Sequence, residues 1–267
     1  MSRFLPPAAS AHAADIDRVL TLVHVLMAVL FVGWSIYFAC ALVRFRAGRQ
    51  PRARHEGARG RVALATEIGV VVAEVVLLVV FALPVWFSRT AAQPAPAPGG
   101  ATVVRVVAEQ FAWNVHYPGA DGEFGATSPA LVSGTNPLGL DRRSPHAADD
   151  VVDVNQLQVP VGRPVVIQLS SKDVIHSFGV PALRVKQDAI PGVLTPVWFT
   201  PTVAGEYEIA CSQLCGLAHF RMRAVLVVRG TEPFSTVSAR SGTELVQEIG
   251  RALSPGGPTL WKRAPSP

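Results

Sequence analysis

Residues Cys211–Met222 read CSQLCGLAHFRM, and they hold two of the chain's three cysteines together with His219 and Met222. Sulfur and imidazole donors select copper, zinc or iron–sulfur chemistry over magnesium or calcium. A structural zinc site of the usual kind needs a second Cys pair or a His pair, and this chain has one sulfur pair. A Cys211–Cys215 disulfide is the competing reading, since a local pair can reach bridging distance in an oxidising compartment. It leaves His219 and Met222 without a purpose. A catalytic thiol requires a base and a substrate pocket, and two thiols with a thioether suit electron storage better than nucleophilic attack. Copper fits the set best. Two thiolates can each bridge two copper ions, which leaves each ion one imidazole and one weak axial ligand, so a second histidine is required from elsewhere. The stretch SKDVIHSFGVP supplies it at His176, just after a β-type run, and a backbone carbonyl at Gln213 is available as the remaining weak ligand.

Working outward from this motif, its surroundings read as β structure. Runs such as TVVRVVAEQFAWNVHY, VNQLQVPVGRPVVIQLSS and FRMRAVLVVRG are rich in β-branched and aromatic residues and are separated by Pro/Gly turns. They predict an antiparallel barrel or sandwich over residues 101–230. Within it, the Gly/Pro/Asp-rich segment GATSPALVSGTNPLGLDRRSPHAADD (Gly125–Asp150) reads as a surface loop. Its His146, Asp141, Asp149 and Asp150 offer cation ligands, although a solvated polar loop has the same composition.

The N-terminal third is of another kind. The chain has 267 residues, 49% hydrophobic and 16% charged, with a positive mean hydropathy, too apolar for an ordinary soluble domain. Two runs, Val19–Val43 and Val62–Phe87, each exceed the roughly 20 residues a helix needs to cross a bilayer. They predict a transmembrane hairpin with an outer N-terminal segment at 1–18. A cleaved lipoprotein signal using Cys40 is the alternative for the first run, but Tyr37-Phe38-Ala39 is a poor cleavage context and arginines follow at once.

The connector 44–61 holds seven arginines against one acid, Glu56. The positive-inside rule puts it in the cytoplasm and both termini outside. Its +6 exceeds the +5 of the whole chain, so the basic pI carries no implication of nucleic-acid binding. Residues 101–230 hold ten basic and eleven acidic side chains, without a basic patch interleaved with aromatics. A Pro/Ala spacer (88–100) divides hairpin from β domain. The tail 231–267 offers one short helix candidate, Thr243–Leu253.

The motifs DVIHSF, LRVKQDAIPG and CSQLCGLAHFRM together resemble those of subunit II of the haem–copper cytochrome c oxidases. The resemblance runs from the first helix to about Gly230. It implies a cupredoxin-like Greek-key β-barrel on a two-helix membrane hairpin in a bacterial inner membrane, with the β domain on the outer side and a dinuclear copper centre, CuA, within it. It implies Cys211 and Cys215 as bridging ligands, His219 and the Gln213 carbonyl on one copper, and His176 and Met222 on the other. It implies electron transfer from a cytochrome c, or a cytochrome c domain, to the haem of subunit I, with subunit III as a further partner and oxygen reduction coupled to proton pumping. A membrane-anchored CuA carrier outside any oxidase is the alternative.

Three departures from the family pattern matter. Gln213 stands where the family has a glutamate that binds magnesium at the subunit I contact, and a neutral amide is a poorer magnesium ligand, so that site is expected to be weak or absent. Phe111 replaces the family's donor-facing tryptophan, while Trp113 matches its second. These two residues are the candidates for electron acceptance, with core packing of alternate strand residues as the competing reading. Asp121, Glu123, Asp149, Asp150 and Asp153 are candidates for an acidic rim that steers the donor. On the second helix, Glu67 matches the glutamate at the mouth of a proton path, and Glu74 lies seven residues on along nearly the same face. There is no Cys-x-x-Cys-His for a fused c-type haem.

Overall fold

The computed structural model describes residues 5–46, 48–49, 60–90 and 100–230. Most of the Arg-rich connector, most of the Pro/Ala spacer and the Thr243–Leu253 helix candidate fall outside the described residues. Helix α1 spans Ala13–Arg44, starting ahead of the apolar run. Helix α2 (Arg61–Val76) continues through a π-helical turn (Leu77–Ala82) into α3 (Leu83–Thr90). The wide turn immediately precedes Pro84, which lacks an N–H and whose ring crowds the carbonyl one turn back; the extra residue in the turn absorbs that conflict. Both helical stretches are long and apolar enough to cross a membrane, and no residue of their most apolar windows is fully buried. They touch along a narrow seam, where Val19, Val23, Leu26, Leu77 and Glu74 line a groove of about 350 Å³.

The β domain is a sandwich of two five-stranded sheets, ordered β3-β2-β1-β5-β8 and β4-β10-β9-β6-β7. The first comprises β1 (Thr102–Glu109), β2 (Ala112–Tyr117), β3 (Val151–Val154), β5 (Val165–Ser171) and β8 (Thr195–Phe199). The second comprises β4 (Gln156–Pro160), β6 (His176–Val180), β7 (Val185–Ala189), β9 (Gly205–Cys211) and β10 (Arg223–Arg229). Pairing is antiparallel except for β1 with β5 and β4 with β10, the crossed connectivity of a cupredoxin-like Greek key. The period-2 alternation of β1, in which Val104, Val106 and Ala108 are buried, turns one face of the first sheet onto Leu157, Phe178, Ile209 and Leu226 of the second.

Register fixes the two ends of the sandwich. His176 pairs with Ala189, Phe178 with Cys211, and Ala108 with Ser171. The β5–β6, β7–β8 and β9–β10 loops and the β1–β2 turn therefore share one end. The other end is fastened to the hairpin. The Ala9 N–H donates to the Ala182 carbonyl (2.9 Å), and the Ala9 carbonyl accepts from the Thr202 N–H (2.9 Å). Arg184 grips Asp17 of α1 through two hydrogen bonds (2.7 and 2.9 Å). Arg89 of α3 stacks 3.6 Å over the Trp198 ring and donates to the Trp198 carbonyl.

The long excursion leaves β2 at that same end and reaches back to the opposite one, where Lys172 Nζ donates to the Pro137 carbonyl. Its Asp150 is buried and accepts from His116 Nε2 (2.6 Å) and the Gly125 N–H (2.8 Å), while Arg142 donates to the Asp150 carbonyl (2.8 Å). His146 instead pairs with Asp121 (2.9 Å), and Asp149 accepts from the Ala120 N–H (2.6 Å). Asp141 accepts from the Arg143 N–H (3.0 Å), so the four candidate cation ligands turn to four separate partners; the polar-loop reading holds for His146, Asp141 and Asp149, while Asp150 is buried on His116.

Candidate metal centre

The two cysteines lie on either side of a strand end. Cys211 closes β9, and Cys215 sits in the loop that follows, held because the Cys211 N–H donates to the Met222 carbonyl (3.1 Å) and the Ser212 N–H to the Ser177 carbonyl (2.9 Å). Within the loop the Met222 N–H returns to the His219 carbonyl (3.1 Å), closing a single 3₁₀ turn. Both thiols are free, with sulfurs 3.8 Å apart.

His176 opens β6 and is fully buried. Its Nε2 donates to Asp173 Oδ1 (2.8 Å). A carboxylate can only accept, so the other nitrogen, Nδ1, is left as a free lone pair facing Cys211 Sγ at 3.9 Å. Ligand atoms of His176, Cys211 and Cys215 all lie within 4.8 Å of one another. His219 Nδ1 approaches Cys215 Sγ to 3.5 Å, Met222 Sδ lies 3.7 Å from the same sulfur, and the Gln213 carbonyl lies 3.2 Å from Cys211 Sγ. The Gln213 side chain is exposed.

Electrostatics fit a soft metal. Burial first, and the neighbouring Cys211 thiol second, push the Cys215 thiol up to about 11. Burial thus favours the protonated thiol in this apolar pocket, and a cation is the natural compensation for its thiolate. Burial pushes Asp173 upward, but hydrogen bonds from His176 and from the Gln110 and Val174 N–H groups outweigh it and hold the carboxyl below the usual range. The donor set of two thiols, two imidazoles, one thioether and one carbonyl, most of it out of water, fits copper.

The sequence profile described as "Cytochrome C oxidase subunit II, periplasmic domain" matches residues 102–229. The "Alternative cytochrome c oxidase subunit 2" of Bradyrhizobium diazoefficiens is 34% identical over 222 residues, covering 82% of this chain and 77% of the relative. This chain belongs to the cytochrome c oxidase subunit II family. The "Cytochrome c oxidase subunit 2" of Cereibacter sphaeroides is 32% identical over 195 residues, covering 66% of this chain and 61% of that protein. A solved periplasmic domain of cytochrome oxidase subunit II from Bradyrhizobium japonicum is 28% identical and covers 56% of this chain and 99% of that one, with a TM-score of 0.39.

The remaining candidates separate. In this subunit II chain, Trp113 is fully buried and meets His176 and Phe178 edge-on at 6.3 and 5.6 Å between ring centroids. A docking partner does not reach its ring. Phe111 is half-buried, and its ring lies against Gly216, next to Cys215. Glu67 and Glu74 are exposed on α2, far along the chain from the metal loops.

The acidic-rim expectation needs correction. Asp153 pairs across from Val115, and Asp121, Glu123, Asp149 and Asp150 lie beyond the Tyr117 end of β2, opposite the end that carries Phe111. The metal end instead exposes Ile175, Leu194, Leu214, Leu217 and Phe220, Leu217 almost entirely (99%). Two residues that sequence reasoning left without a role, Gln110 and Asp173, touch the ligands. The spacing of Asp173 three positions before His176 was the available signal.

Proposed function

We propose that this chain is the electron-accepting subunit of a haem–copper oxidase, holding a dinuclear CuA centre in its β domain. The observation that carries the reading is the meeting of two ligand loops at one end of the sandwich, in a chain of the subunit II family. Cys211 and Cys215 are assigned as bridging thiolates, His176 and His219 as terminal imidazoles, and Met222 and the Gln213 carbonyl as weak ligands. Bound copper would supply a one-electron carrier between a cytochrome c donor and the haem of subunit I. The protein's own part is to keep the ligands fixed. Asp173 sets the His176 tautomer, the Trp113–Phe178 pair backs the ring, and burial of Met222 keeps water from its sulfur.

The two apolar helices span the membrane of a bacterial cell, with the β domain on the periplasmic side and subunits I and III as neighbours. Glu67 stands at the entrance of a proton path into subunit I, in support of proton pumping. Magnesium at the subunit I contact is weak or absent, since Gln213 presents an amide. Phe111 and the apolar loops around it are the donor's contact, and Trp113 acts from behind, by packing on His176. With Asp121, Glu123, Asp149 and Asp150 at the far end, the donor is held mainly by apolar contact.

Copurification tests the assignment. Tagged full-length chain solubilised in mild detergent is expected to bring down a haem-containing membrane subunit and to support oxygen uptake with reduced cytochrome c. A copper-loaded chain that copurifies with no haem protein would contradict it.

A further inference from the structure

Gln110 sits in the turn between β1 and β2, outside both ligand loops, and touches each of them. Its side-chain Nε2 donates to the Cys215 carbonyl (2.6 Å). Its backbone N–H donates to Asp173 Oδ2 (2.7 Å), whose other oxygen accepts from His176 Nε2 (2.8 Å). One residue thus connects the loop carrying His176 with the loop carrying Cys215. A separate observation shows how closely the turn lies on the metal loop. A Cβ on Gly216 would come within 2.7 Å of Gln110 Nε2 and 3.2 Å of the Phe111 ring, at a backbone φ of +135° that side chains rarely adopt. Only glycine lets the two surfaces meet.

We infer that Gln110 is a positioning residue that latches the two ligand loops together and sets the spacing between His176 and Cys215. Without it the β9–β10 loop keeps its own backbone closure but loses its tie to the Asp173–His176 pair. The ligands then have more room to part, and bound metal leaves faster. This inference rests on the copper reading above.

The test uses full-length chain in its oxidase complex, loaded with copper and challenged with a copper chelator, with electron spin resonance recorded alongside. Gln110→Leu keeps the bulk and removes the donor. Copper release is expected to rise about tenfold, the effect of one lost hydrogen bond, with a changed hyperfine splitting. Gln110→Asn, one methylene too short to reach the carbonyl, is expected to do the same, and stands in should the leucine variant not assemble. Val159→Ala, a core truncation on β4 at the other end of the sandwich, is expected to lower the unfolding temperature while leaving release rate and spectrum at wild type. Wild-type release and an unchanged spectrum in both Gln110 variants would overturn the latch alone. A wild-type chain that takes up no copper would overturn the copper reading with it.

Discussion

The two ends of the sandwich are built on opposite plans. At the metal end, ligands lie close in sequence, five of the six within Cys211–Met222, and Leu214, Leu217 and Phe220 of the same loop are exposed beside a single charge, Arg221. At the anchored end, the contacts join residues far apart in sequence, such as Arg184 with Asp17, Asp150 with His116 and Arg89 with Trp198, and they are polar or charged. The difference follows from the task of each end. A metal supplies the binding free energy that closes a short loop, so its ligands can be local and its rim left free for a partner. An anchor must instead fix the domain's orientation over the hairpin, and directional hydrogen bonds between separate elements do that better than apolar contact.

The sharpest way to break this comparison is to remove a bridging sulfur. Cys211→Ser or Cys215→Ser is expected to abolish the two-copper signature altogether, while Met222→Leu keeps both ions and shifts only the reduction potential, a thioether being a weak ligand. Metal analysis with redox titration checks this, and loss of both coppers in Met222→Leu alone would reverse the ligand roles.

Next in size is the rim. Replacing Leu217 and Phe220 together by serine is expected to slow oxidation of the donor cytochrome by about tenfold, with weak dependence on ionic strength, whereas Asp121→Asn with Glu123→Gln at the far end changes little. Stopped-flow rates across a salt series decide it. A steep fall with salt would restore the acidic rim.

The anchor gives smaller effects. Asp17→Asn weakens the bidentate grip of Arg184 and is expected to cost about 1–2 kcal/mol, read as a lower unfolding temperature with an unchanged copper spectrum.

Smallest is the response to acid. Burial first, then the Arg89 charge, lower His12 from 6.5 to about 4, and burial lowers His116 despite Asp150. His12 is therefore neutral when folded at about pH 6 and takes up a proton on unfolding, and His116 shifts in the same direction. The unfolded chain binds more protons below 6.5, so the His12 contribution to stability is full above that pH and declines as pH falls towards 4, with His116 adding a decline of the same sign. Unfolding followed from pH 7.5 down to about 5 is expected to show this decline, flattened in His116→Asn.

The same contrast explains what could be read in advance. Ligand spacing at Cys211–Met222 and the apolar runs of the hairpin are local patterns, and both are legible residue by residue. The second histidine was also within reach, because His176 follows a β run directly. The anchor was not legible, since nothing in the sequence around Asp17 indicates a partner 167 positions away. The acids at 121–153 misled for a related reason: counting charges does not reveal which end of β2 they flank, and only the strand register does. Phe111 and Trp113 differ in burial although both belong to one short segment. The turn at Gln110–Phe111 lifts the first onto the metal loop, and the strand carries the second into the core.

The central claim is that two ligand loops hold a pair of coppers at one end of this domain. Electron spin resonance of the copper-loaded, partly oxidised full-length chain tests it most directly. One unpaired electron shared equally by two copper nuclei is the expected hyperfine pattern, accompanied by a purple colour. A single-copper pattern, or a site that takes up zinc and gives no signal, would contradict it.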